Sequence, residues 1–369
     1  MSLLPSPAAM PRSRRPRDPN PPGDRSGRPA TGAGLAAPPA APDAAASYAT
    51  AYHAPVLASA VVDGLVTDRA GVYVDGTLGG GGHSAALLDA LAPGALVVGI
   101  DQDDEALATA RARLAAAAAA GRFRALKGNF GDLPALVAGL GLERPIAGVL
   151  LDLGVSSHQL DAADRGFAFS ASGPLDMRMD ASAGESARDL VARLDADALA
   201  DVIYQFGEER RSRAIARAVK AAAPVTTGAL AEAVRSAVPT RDETKALARV
   251  FQALRIAVNR EMDVLEDVLP AALDVLAPGG RLAVIAYHSL EDRRAKQFLR
   301  TGGFRPTVDK DFYGNPITPW APVTRRAIVA DEAEVARNPR ARSARLRIAE
   351  KRPPTGDDPP GPSERHPAA

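Results

Sequence analysis

Between Gly71 and His83 the sequence reads GVYVDGTLGGGGH: a short apolar alternation (Val72, Tyr73, Val74) meets an acid at Asp75, then a glycine-rich run opens a helix-forming segment near His83. Strand, tight loop and helix start thus follow one another directly. Glycine lets the backbone turn sharply and approach a ligand closely, and the free amides of a helix start favour polar or anionic ligand atoms. Such a turn is read as a cradle for a nucleotide or nucleoside.

The next strand pattern, Leu96 to Ile100, ends in Asp101. An acid at that strand tip, about 20 residues beyond a glycine loop, is where a doubly wound fold accepts hydrogen bonds from ribose hydroxyls. Further along come an alanine-rich helix (Asp103 to Ala120), a strand from Phe123 to Lys127 leading to Phe130, a short helix from Asp132, and an apolar strand from Ala147 to Leu151 ending in Asp152. Repeated strand-helix steps predict a parallel sheet covered on both faces. The ligand is expected beyond the carboxyl ends of its strands.

From Ser156 to Asn259 this rhythm stops and helical patterns take over, at Asp197 to Tyr204, Arg210 to Ala222, Gly228 to Ala237 and Thr244 to Val258. In the last of these Leu247, Val250, Phe251, Leu254 and Val258 share one face. The α/β pattern resumes with a helix over about Arg260 to Leu276, a Pro-Gly-Gly stop, a strand from Arg281 to Ala286 running into Tyr287, His288 and Ser289, and a last strand candidate from Ala344 to Ala349. The expected organisation is a doubly wound, Rossmann-like α/β domain over 48–155 and 260–352, with a helical subdomain inserted at 156–259. Residues 1–47 and 353–369, rich in Pro and Ala, are expected to be disordered tails.

Composition narrows the function. The chain of 369 residues has room for a sizeable core, and its net charge of +1 leaves any nucleic-acid contact to local clusters. It has no cysteine, which rules out disulfides and thiolate chemistry and is compatible with the cytoplasm. No apolar run is long enough to span a bilayer. The histidines lack zinc spacing, so no metal is expected, and the absence of a G-x-S-x-G elbow argues against a hydrolase.

A glycine loop followed by a ribose acid suits either a dinucleotide or S-adenosylmethionine. Asp75 is badly placed for a pyrophosphate but well placed for the cationic methionine end of S-adenosylmethionine, and Phe130 offers an aromatic face to adenine. Methyl transfer from a sulfonium asks mainly for alignment and desolvation of the acceptor. Asp152, Ser156, Ser157 and His288 stand by position as candidates to grip an amine.

Several blocks make the chain resemble a known family. They are HAPVL (53–57), DGTLGGGGHS (75–84), LLDLGVSS (150–157), GPLDMRMD (173–180), FGEER (206–210), FQALRIAVN (251–259), APGGRLAVIAYHSLEDR (277–293) and NPRARSARLRIAE (338–350). In this order, over about residues 48–352, they resemble the bacterial 16S ribosomal RNA cytidine-N4 methyltransferases. The resemblance implies S-adenosylmethionine as cofactor and, as substrate, a cytidine in the decoding region of 16S ribosomal RNA or the small ribosomal subunit. It also implies cofactor contacts at Gly81, Gly82, His83, Asp101, Phe130, Asp152 and Gln159. His158 stands where the family usually has proline, and Thr244 to Arg249 departs from its usual His-Pro-Ala-Thr-Arg.

His288, at the tip of the fifth strand, is the expected catalytic proton acceptor. The helical insertion is the expected recognition surface; arginine clusters at 210, 211, 213 and 217 and, at the far end of the chain, at 337, 340, 342, 345 and 347 are the candidates for phosphate contact. The target base must be unpaired or turned out of its stack. A nicotinamide-dependent oxidoreductase and a non-enzymatic RNA-binding protein remain the competing classes.

Overall fold

The computed structural model describes residues 55–353, except 306–309, 311, 313, 315 and 316. The expected tail 1–47, His53 and residues 354–369 lie outside them. The chain opens with α1 (Ala58–Leu65), β1 (Val72–Asp75), α2 (Gly82–Ala90) and β2 (Leu96–Asp101). It continues through α3 (Asp104–Arg113), α4 (Ala115–Ala119), β3 (Phe123–Lys127), α5 (Leu133–Ala138) and β4 (Ile146–Asp152). The single helix expected over 103–120 is in fact two, because the backbone leaves helical geometry at Leu114.

The sheet has seven strands in the order β3-β2-β1-β4-β5-β7-β6, where β5 is Leu276–Ala286, β6 is Trp320–Pro322 and β7 is Arg345–Lys351. The first five positions in that order are parallel, and β7 and β6 close the sheet antiparallel. Strand order reverses between β1 and β4. That crevice is where a doubly wound sheet binds its ligand.

Alternation along the strands builds a core on each face, since successive side chains point to opposite sides. Val72, Val74, Val98, Ile100, Val149 and Leu151 join one core. Tyr73, Val97 and Leu150 join the other. α5, α12 (Glu261–Val275) and α13 (Ser289–Thr301) cover the first face; α1, α2 and α3 cover the second. Two strand predictions change. The Pro-Gly-Gly segment lies within β5, as an irregularity between Leu276 and Arg281 where the register against β4 shifts. β6 is absent from the sequence reading because it has three residues and ends in Pro322, which only an edge strand tolerates.

Residues 153–259 carry α6 (Ser157–Asp161), α7 (Ala187–Arg193), α8 (Ala196–Gly207), α9 (Ser212–Ala222), α10 (Thr227–Ser236) and α11 (Glu243–Asn259). They enclose a third apolar core, with Leu199, Ile203, Ile215, Leu230 and Val250 fully buried. The α11 face read from the sequence points inward, with Leu247, Val250, Phe251 and Leu254 buried and Val258 partly so. No helix among the described residues is long and apolar enough to cross a membrane.

Candidate active site

The carboxyl ends of β1, β2, β4 and β5, with the first turn of α2, surround a cavity of about 360 Å³. This is the size of a small-molecule or cofactor site. Gly82, His83, Asp101, Phe130, Asp152 and Gln159 all line it, so the structure gathers six of the seven expected cofactor contacts around one space.

At the β2 end, Asp101 Oδ2 accepts the Gly79 amide at 2.8 Å and Oδ1 accepts the Asp103 amide at 2.9 Å. Each oxygen keeps a further acceptor site, because a carboxylate offers about four lone pairs. Burial pushes the Asp101 carboxyl up to about 6, although the two amides oppose the rise. At the β3 end, Asn129 accepts the Gly131 amide at 2.9 Å and starts the 3₁₀ turn that carries Phe130 to the cavity wall.

At the β4 end, Asp152 stands between two partners. Tyr287 donates its hydroxyl to Oδ1 at 2.9 Å, and His83 Nδ1 lies 3.6 Å from Oδ2. His83 Nε2 is 2.9 Å from the Val56 carbonyl. A carbonyl only accepts, so Nε2 carries a proton and Nδ1 is the nitrogen turned toward Asp152. Burial pushes the Asp152 carboxyl up to about 6 against the attraction of His83 and the hydrogen bond from Tyr287. Burial and the adjacent carboxylate raise the Tyr287 phenol well above its ordinary value, so it acts as a donor.

Other expected residues occupy different places. Gly81 does not line the cavity. It turns with φ 77° at the start of α2, its amide is spent on the Leu78 carbonyl at 2.8 Å, and a Cβ there would press on Ala110 and Leu114. Asp75, expected beside a cationic ligand, is fully buried behind the loop, where Ser84 Oγ donates to its Oδ2 at 2.7 Å. Gln159 reaches the wall, but its Nε2 donates to Asp103 at 2.8 Å and its Oε1 accepts the Ser156 amide at 3.0 Å.

His288 lies outside this cavity and lines a neighbouring groove. Its ring is nine-tenths buried, with Nε2 3.1 Å from Glu291 Oε1. The cause is local. The chain leaves β5 at Ala286, so Tyr287 takes the position facing Asp152 while His288 becomes the residue that caps α13.

Sequence reasoning gave no role to Tyr287, Thr77 or Arg255. Thr77 Oγ1 accepts the Asp152 amide at 2.6 Å, joining the tips of β1 and β4. Arg255 lines the cavity and forms a two-pronged ion pair with Glu261, Nε to Oε1 at 2.8 Å and Nη2 to Oε2 at 2.9 Å. Glu261, His288 and Glu291 bring ligand atoms within 4.8 Å of one another. Glu261 already spends both oxygens on the Arg255 cation, so the cluster is built as an ion-pair network and suits a metal poorly.

The helical segment is tied to this site by buried polar contacts. Arg165 Nη1 donates to Asp103 at 2.8 Å and Nη2 to the Met179 carbonyl at 3.0 Å. Asn259 accepts the Met179 amide and donates to the Met177 carbonyl, both at 2.8 Å. These bonds hold Met179 on the cavity wall.

Comparison with known proteins places the chain in a family. Residues 50–352 match the profile of the MraW methylase family. A ribosomal RNA small subunit methyltransferase H from Chlorobium luteolum is 51% identical over 325 residues, covering 81% of this chain and 96% of that protein. The protein of the same name from Sorangium cellulosum is 49% identical over 305 residues, covering 81% and 90%. Among solved structures, an rRNA methylase from Streptococcus thermophilus aligns over 80% of this chain and 94% of its own at 12% identity and a TM-score of 0.36, too distant for residue-level comparison. A family profile over residues 50–352 and a relative 51% identical over 81% of the chain lead to one conclusion: the chain belongs to the MraW methylase family.

Proposed function

We propose that this protein methylates the N4 amine of a cytidine in the decoding region of 16S ribosomal RNA, with S-adenosylmethionine as donor, in the cytoplasm. The observation that carries the reading is that two carboxylates line one cavity: Asp101 at one strand tip and Asp152, flanked by Tyr287 and His83, at another. Their chemistry fits the donor. Acceptor oxygens at Asp101 suit ribose hydroxyls, Phe130 suits adenine, and the anionic pair suits a cationic sulfonium and ammonium.

When bound, S-adenosylmethionine supplies a methyl group on an already activated leaving group. The protein's part is to exclude water and aim the amine. Asp152 lines the cavity as the acceptor for the amino protons of the base; ionised above about pH 6, it would take the proton that the amine sheds on methylation. Tyr287 and His83 hold that carboxylate in place.

Glu291 Oε2 accepts the backbone amides of Tyr287 and His288 at 2.9 and 3.3 Å. His288 therefore serves as a positioning residue: its contact with Glu291 steadies the strand end that presents Tyr287. The arrangement expected from sequence, a methyltransferase domain over 48–155 and 260–352 with a recognition subdomain at 156–259, belongs to the same proposal.

The test is a methylation assay with labelled S-adenosylmethionine and small subunits from cells lacking the enzyme, followed by nucleoside mass spectrometry. Label in N4-methylcytidine is expected. Cofactor binding without transfer to any form of the RNA would overturn the acceptor assignment.

A further inference from the structure

Beside the cavity runs a groove of about 390 Å³, and Tyr287 and Ser343 belong to the walls of both. Four charged side chains line the groove: Asp292, Arg293, Arg342 and Arg345. Two of them are neutralised. Arg347 holds Asp292 through bonds of 2.7 and 3.1 Å, and Glu208 pairs with Arg293. Arg342 and Arg345 are exposed, and among the described residues neither makes an ion pair or a side-chain hydrogen bond.

Other arginines of the same stretch do have acids: Arg340 pairs with Asp161 at 2.7 Å and Arg347 with Asp292. Two guanidinium groups that line one groove without acidic partners among the described residues make it a positive patch that attracts an anion. Their position is set by the sheet. Antiparallel pairing puts Arg345 opposite Ala286, one residue before Tyr287. Arg342 comes from the 3₁₀ segment Pro339–Ser343 leading into β7. The first turn of α13 borders the same groove, with its acids Glu291 and Asp292 held by His288 and Arg347.

We propose that this groove binds a backbone phosphate of the RNA strand whose base enters the adjoining cavity, with Arg342 and Arg345 as its ligands. A phosphodiester fits because guanidinium groups match phosphate oxygens in charge and fork geometry. The shared wall at Tyr287 and Ser343 places that phosphate next to the nucleotide being modified. The proposal rests on the methyltransferase reading above. It adds a register: anchoring one phosphate sets which nucleotide reaches Asp152.

The experiment compares the full-length chain with Arg342→Glu/Arg345→Glu and Arg342→Lys/Arg345→Lys in steady-state methylation of small subunits. Subunit affinity is measured from low to high salt, and affinity for protein-free 16S RNA alongside. The Glu variant is expected to raise KM for subunits about tenfold or more, to weaken RNA binding, and to flatten the salt dependence by about one unit of slope for each phosphate no longer neutralised. S-adenosylmethionine affinity stays at the wild-type value, and the Lys variant recovers most of the loss.

Unchanged KM and salt slope in an otherwise active enzyme would overturn the proposal. So would a defect on assembled subunits with full affinity for naked RNA, which would assign the groove to a ribosomal protein. If the wild type itself methylates no subunit preparation, the failure lies in the functional reading instead.

Discussion

The Tyr287 hydroxyl reaches across the tips of β5 and β4 to donate to Asp152 Oδ1 at 2.9 Å, joining residues 135 positions apart in the chain. A donor of this kind favours the ionised carboxylate over the neutral acid, while burial works in the opposite direction. Tyr287→Phe removes the donor and keeps the ring. The acid limb of the methylation pH profile is expected to move up by about one unit, the equivalent of about 1.4 kcal/mol. An unmoved limb would show that the hydroxyl does not tune Asp152.

Asp101→Asn keeps the shape of the β2 tip but replaces one acceptor oxygen with a donor facing the Gly79 or Asp103 amide. Loss of hydrogen bonds to a charged group costs about 1.5–3 kcal/mol each. Calorimetric titration should show S-adenosylmethionine affinity reduced by about 10- to 100-fold. Affinity of the variant for RNA should stay at the wild-type value.

Asp101 and Asp152 are both pushed up to about 6, above their ordinary 3.8. Cofactor binding that needs the carboxylates should therefore weaken as pH falls from 7.5 through 6, and recover when pH is restored. The sign for stability is the reverse. A raised carboxyl pKa favours the folded state at low pH, and this contribution is lost as pH rises through about 6. Binding that is flat from pH 7.5 to 5.5 would refute the role of ionised acids in holding the donor.

Arg165 and Asp103 form a buried ion pair that ties the loop after α6 to the start of α3. Arg165→Ala leaves Asp103 with only the Gln159 amide as a side-chain partner. Stranding a buried charge costs about 3–5 kcal/mol. Denaturant unfolding should show a loss of this size, and Met179 should loosen on the cavity wall because its carbonyl loses the Arg165 donor. A loss below about 1 kcal/mol would mean that the pair contributes no more than a surface salt bridge does.

Much of this architecture was legible in the sequence because its signals are local. The alternation of Val72, Tyr73 and Val74, the glycine turn, and Asp101 at the next strand tip suffice to predict a doubly wound sheet with a site at its carboxyl edge. The apolar spacing along α11 predicts which face is buried. The alternation and the apolar spacing rest on side chains a few residues apart, where backbone geometry alone fixes direction, and the acid at the next strand tip rests on the regular length of a strand-helix step.

The tertiary structure decided what depends on register and on distant partners. Only the sheet order brings Tyr287 onto Asp152 and sets Arg345 opposite Ala286. Only the folded loop shows that the Gly81 amide bonds the Leu78 carbonyl and that Asp75 is sealed behind Ser84. His288 follows the same rule. Whether it or its neighbour faces the site depends on where β5 ends and α13 begins, and a shift of one residue exchanges the two sides.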